Sequence, residues 1–132
     1  MIKIQKKSFN IEKEIKKIKD KYKDVGAVSN FIGYVRNTNK NKKVISIDLE
    51  VYPEMAKKYL EDLCARVKNK WEIADILIIH RFGKLKVNEK IVLIAVFSMH
   101  RNDSLKACNF IMDFLKKMLH FGRKKDIATK RN

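Results

Sequence analysis

Two identical dipeptides carry much of the polar chemistry this sequence offers. His80-Arg81 closes one aliphatic run and His100-Arg101 closes the next. An imidazole beside a guanidinium suits an anion, because both donate hydrogen bonds and the guanidinium stays charged. His100-Arg101 directly precedes a run patterned as a helix, whose first backbone N–H groups also favour anions. The residues alone leave His100 open between an anion ligand and an ordinary polar side chain. His80 is expected to be a half-buried structural histidine. Arg36 ends the strand-like FIGYVR. A guanidinium there can hold a phosphate or carboxylate bidentately, but on this segment alone a solvated arginine is the better reading.

Met112 and Lys116 are four apart and share a helix face. A lysine bordering an apolar stripe becomes chemically useful when its charge is destabilised, although such a side chain more often snorkels to water. Lys117 is its solvent-facing neighbour. Arg123, Lys124 and Lys125 form a positive cluster in HFGRKKD, which composition alone describes as a disordered basic tail.

Much catalytic chemistry is missing. There is no GxGxxG, GxxxxGK, HExxH or GxSxG pattern. The two cysteines, Cys64 and Cys108, have no CxxC spacing and no neighbouring histidine. Neither a zinc site nor a disulfide framework is indicated, and buried reduced thiols are expected. The carboxylates are scattered among lysines, so paired-carboxylate hydrolysis is unsupported. An enzyme of this make-up supplies cations and positioning, and takes its nucleophile from elsewhere.

The elements that must hold these residues are legible from periodicity. Residues 2–7 suggest a short strand. Residues 10–23 suggest a helix with Asn10 as its cap. Residues 26–35 and 44–52 suggest strands, the second with Ile45, Ile47, Leu49 and Val51 on one face. The polar stretch 36–43 between them is expected to be a turn or mobile loop. Pro53 opens a helix with Ala56, Leu60, Leu63, Val67 and Trp71 inward. Residues 73–82 and 91–99 suggest strands separated by turn residues. A last helix starts near Asn102 or Asp103 and runs to about Met118, with Leu105, Cys108, Met112 and Leu115 inward. The order β-α-β-β-α-β-β-α predicts an α+β fold with a mainly antiparallel sheet and three helices.

At 132 residues, the chain suits one domain, 1–132, with 119–132 as an atypical basic tail. Apolar residues make up 45% of it, enough for a packed core. There are 31 Lys plus Arg against 15 Asp plus Glu, a net charge of +16, which draws polyanions or phosphorylated molecules. Many N-terminal lysines read simply as solvated surface. MIKIQKKSFN lacks a signal-peptide core, and no run approaches the ~18 apolar residues of a membrane span. A soluble cytoplasmic protein is expected.

Four segments in order, GAVSNFIGYVRN, LEVYPEMA, WEIADILIIHRFGKL and SMHRNDSLKACNFIMDFLK, resemble the molybdopterin synthase catalytic (large) subunit family. The resemblance covers roughly 26–118. It implies an α/β hammerhead fold and a sulfurtransferase of molybdenum cofactor biosynthesis. The sulfur donor would be the C-terminal thiocarboxylate of a small ubiquitin-like sulfur-carrier subunit, and the acceptor cyclic pyranopterin monophosphate, converted to molybdopterin. The assembly would be a heterotetramer built on a homodimer of large subunits. No metal or other cofactor is implied, and neither membrane nor nucleic acid is expected as a partner. Carried over position by position, Phe31 and Arg36 line the pocket, His100 and Arg101 are the anion-binding pair, Met112 lies in the pocket, and Lys116 is the catalytic lysine.

The tail departs from the pattern. The family continues with Pro, then Ile, Phe or Leu, then Trp-Lys, and that lysine is a second essential group. Here the chain reads His120-Phe121-Gly122-Arg123-Lys124, so Arg123, or with one inserted residue Lys124, takes its place. Codons for Pro-Phe-Trp-Lys read one nucleotide out of phase give His-Phe-Gly-Arg, which predicts a frameshifted, truncated end. The alternatives are a catalytically impaired scaffold that still binds the partner, and a basic nucleic-acid-binding module. The second lacks any recognisable nucleic-acid-binding motif.

Overall fold

The computed structural model describes residues 1–39, 42–119 and 123–128, with backbone alone at 38–39, 42–44, 119 and 123–128. Its elements are β1 (Ile2–Gln5), α1 (Ile11–Lys19), β2 (Ala27–Tyr34), β3 (Thr38–Asn39), β4 (Lys42–Glu50), α2 (Pro53–Lys70), β5 (Asp75–Arg81), β6 (Gly83–Lys86), β7 (Lys90–Ser98), α3 (Arg101–Leu119) and β8 (Arg123–Ala128). The central sheet has the order β1-β5-β7-β2. Its pairs are antiparallel except β1 with β5.

The two middle strands are apolar at nearly every position because both faces of this sheet are covered. Ile76 and Ile78 of β5, with Val92, Ile94 and Val96 of β7, pack under α2 and α3. The alternate residues Leu77, Ile79, Leu93, Ala95 and Phe97 pack with Ile18 of α1. Helix α1 starts as its sequence predicts, with the Asn10 side chain accepting from the Lys13 N–H at 2.9 Å. Helix α2 buries Ala56, Leu60, Leu63 and Val67.

Helix α3 differs from expectation at two points. It begins at Arg101, so Asn102 and Asp103 lie inside its first turn instead of capping it. Its inward stripe is Ser104, Ala107, Cys108, Ile111, Leu115 and Met118. Leu105, expected inward, is exposed, since one step along a helix turns the side chain by about 100°.

A second, smaller sheet joins β3, β4 and β6, with β8 also paired to β4. Val35, Ile47, Leu49 and Leu85 form its own small core. Ile45 is exposed and Ser46 buried, opposite to simple alternation. The β4–β8 ladder is irregular between Val44 and Ser46, and such an irregularity re-aims side chains. The turn residues after Phe82 contain β6, and Asn88 (φ 73°) makes the tight turn into β7. The basic tail provides β8, whose pairing rests on backbone groups that every residue carries. Among the described residues, no helix is long and apolar enough to cross a membrane.

Candidate functional site

The site candidates fall into two groups because α3 is long. At ~1.5 Å per residue, Lys116 lies about 22 Å along the helix from Arg101. The helix starts where β7 ends and packs back over β7 and β2, so that Leu115 and Met118 share a core with Val92 near the start of β7.

At the start of α3, His100 and Arg101 are both exposed. Among the described residues neither side chain has a hydrogen-bond or ion-pair partner. Their backbone is tightly held. The Ser98 hydroxyl donates to the His100 carbonyl. The Ser104 hydroxyl donates to the Arg101 carbonyl at 2.9 Å, and the Ser29 and Ser104 hydroxyls meet at 2.7 Å. The Asp103 carboxylate accepts from the Glu72 N–H at 3.0 Å, tying this turn to the end of α2. His100 also borders a hollow of about 410 Å³, shared with Asp24, Lys68, Trp71, Glu72 and Asp103.

At the other end, Lys116 is exposed, while Met112, one turn earlier, packs against the core. Phe31 is 38% exposed. It shares a strand face with Ser29, the face that α3 covers. Arg36 lies just past β2 and is exposed, whereas Val35 before it is buried. The Val35 N–H donates to the Glu89 carbonyl and its own carbonyl accepts from the Asn88 N–H, both at 2.9 Å. Arg36 is thereby held beside the second sheet. Arg123 and Lys124 register with Glu50 and Leu49 of β4. The side chains of Arg123, Lys124 and Lys125 lie outside the described residues.

Arg36 and Lys116 therefore lie toward the end of the central sheet where β2 ends and β7 begins, Phe31 lies opposite Ile94 in mid-strand, and His100 and Arg101 lie at the opposite end. Sequence reasoning missed Ser29, Ser98 and Ser104. Ser98 and Ser104 at least flank the second His-Arg doublet, whereas Ser29, far away in β2, carries no such signal.

The first doublet is structural. His80 is fully buried. Its Nδ1 lies 2.7 Å from the Arg81 carbonyl, so Nδ1 carries the proton that it donates there. Among the described residues Nε2 has no partner, and burial lowers the pKa of the ring. The Arg81 guanidinium donates to the carbonyls of Lys6 and Lys90, each at 3.0 Å. Burial also affects the thiols, pushing Cys64 up to about 11 and raising Cys108. Among the described residues, no three His, Cys, Asp or Glu side chains are grouped to hold a metal ion.

Comparison with known proteins places this architecture. The family model described as MoaE protein matches residues 4–118. The molybdopterin synthase catalytic subunit of Ralstonia nicotianae is 39% identical over 127 residues, covering 96% of this chain and 72% of the relative. That of Pseudomonas aeruginosa is 36% identical over 127 residues, covering 96% and 85%. Among crystal structures, molybdopterin synthase from Staphylococcus aureus superposes with a TM-score of 0.80 at 28% identity, covering 98% of this chain and 92% of that one. A family model spanning residues 4–118, with relatives well above 30% identity along it, makes this chain a member of the MoaE family, the catalytic subunits of molybdopterin synthase.

Proposed function

We propose that this chain transfers sulfur from the C-terminal thiocarboxylate of a small ubiquitin-like subunit to cyclic pyranopterin monophosphate, forming the dithiolene of molybdopterin in the cytoplasm. The observation that best supports this reading is the contrast between its thiols and its cations. Cys64 and Cys108 are held protonated by burial, so neither suits nucleophilic attack. Arg36, His100, Arg101 and Lys116 are exposed. The sulfur then arrives on a partner, and this chain supplies charge to an anionic donor and a phosphorylated acceptor. Lys116 stabilises charge developing at the thiocarboxylate carbonyl. Arg101 and His100 hold the phosphate, Arg36 adds a second cation, and Phe31 and Met112 wall the pocket. Arg123 or Lys124 takes the place of the family's second lysine.

The 22 Å between Arg101 and Lys116, about fifteen residues of helix, exceeds the span of a pterin. The two groups meet on one substrate only when a second copy of the chain brings its own helix start to the Lys116 end. A dimer of large subunits within a heterotetramer provides that arrangement.

Reconstitution with thiocarboxylated partner and pterin precursor tests the activity directly, and absence of dithiolene product despite complex formation leaves a scaffold instead. Mixed dimers test the geometry. Lys116→Ala and Arg101→Ala homodimers are each expected to be impaired, while a dimer of one protomer of each regains one intact site. No recovery in the mixed dimer removes the two-protomer site.

A further inference from the structure

The start of α3 combines two properties that rarely coincide. The side chains of His100 and Arg101 are exposed and bond to nothing among the described residues, yet the backbone that carries them is fixed by buried hydroxyls. Ser98 and Ser104 are both fully buried, where alanine would avoid the cost of dehydrating a hydroxyl. Each gives its proton to the main-chain carbonyl of one member of the doublet, Ser98 to His100 and Ser104 to Arg101.

A serine bonding three residues back in a helix is ordinary. The link to β2 is not. A hydroxyl has one proton. Ser104 donates its own to Arg101, so in the 2.7 Å contact Ser29 is the donor and Ser104 the acceptor. The result is a directed chain, Ser29 to Ser104 to the Arg101 carbonyl, that anchors the first turn of α3 to the sheet. Gly26 completes the setting. Its N–H donates to the Ser98 carbonyl at 3.0 Å, and a Cβ there would come within 2.5 Å of the Met99 carbonyl oxygen.

We propose that Ser29, Ser98 and Ser104 are positioning residues that pre-aim His100 and Arg101 at the phosphate of the pterin substrate. None of the three touches that phosphate. They act by removing backbone freedom from the two residues that do, so less ordering remains to be done on binding. The proposal rests on the sulfur-transfer reading through the assignment of His100 and Arg101, and deepens it.

The mildest test changes Ser29, which is only half-buried and outside α3. In the reconstituted complex, Ser29→Ala and Ser104→Ala are each expected to raise KM for the pterin substrate roughly three- to tenfold, the scale of one net hydrogen bond, with kcat little changed. The double variant should match the single ones, because one chain is cut in either case. Ser29→Thr keeps the hydroxyl on a β-branched residue suited to a strand and should restore KM. Inorganic phosphate, used as a competitive inhibitor, should weaken in step. A lowered melting temperature with unchanged KM in Ser29→Ala and Ser104→Ala overturns the proposal, and so does strict additivity in the double variant. Unchanged KM in Arg101→Ala overturns instead the phosphate assignment beneath it.

Discussion

The same dipeptide occurs twice and meets opposite fates. His80-Arg81 is buried at the end of β5, with the guanidinium bonded to two carbonyls. His100-Arg101 is exposed at the start of α3 with its backbone bonded and its side chains unpartnered among the described residues. In the first doublet the side chains hold the fold, fastening the segment after β1 and the start of β7 to β5. In the second the fold holds the side chains. Residue type alone does not distinguish a structural cation from a binding one. What distinguishes them is which partner satisfies the donors, the chain itself or something that arrives later.

Removing the buried member should show the largest effect. Arg81→Ala leaves the Lys6 and Lys90 carbonyls without their charged donor and is expected to cost about 3 kcal/mol of stability. Arg101→Ala should stay within about 0.5 kcal/mol while weakening substrate binding. Urea denaturation of both variants measures the contrast directly. Equal destabilisation by the two would erase it.

Gly26→Ala comes next. The added methyl meets the Met99 carbonyl, so the bend before His100 must shift, at about 1–3 kcal/mol. If the denaturation midpoint of this variant matches the parent, the bend is softer than the close approach implies.

Lys116→Ala probes the far end of α3. Sulfur transfer should fall at least tenfold, or about 1.4 kcal/mol in barrier, with small-subunit binding intact by calorimetry. Near-normal turnover takes Lys116 out of the chemistry.

The smallest effect is a pH dependence. Burial lowers the His80 pKa below the ordinary 6.5. Above that value both folded and unfolded states keep the ring neutral. Below it the unfolded chain takes up a proton first, so stability falls as pH drops from 6.5 toward the lowered folded pKa, with no more than one proton of slope. His80→Gln should flatten that slope between pH 7.5 and 5.5, and an unchanged slope assigns it to another group.

Most elements are written in the periodicity. Positions 60, 63 and 67 place the inward face of α2, and unbroken aliphatic runs mark β5 and β7 as covered on both sides. The second sheet is harder to see. In β6 only Leu85 is buried, and four residues are too few to show a period. β8 reads RKKDIA, and its place on β4 comes from backbone pairing, which leaves little mark on side-chain choice. The identities of the exposed cations were also legible through the family pattern. The separation of Arg36 and Lys116 from His100 and Arg101 was not, because a sequence orders residues along the chain and gives no distances between them.

Which side chains carry charge, which runs are apolar, and the lack of an activating motif around either cysteine can all be read from the residues in order. These are local properties, set by composition and by spacings of two to four residues. Folding makes one His-Arg pair a fastener, presents the other to solvent, and brings three serines to the backbone of the second. Those outcomes depend on burial and on hydrogen bonds between residues as far apart as Ser29 and Ser104, which meet only when α3 packs onto β2.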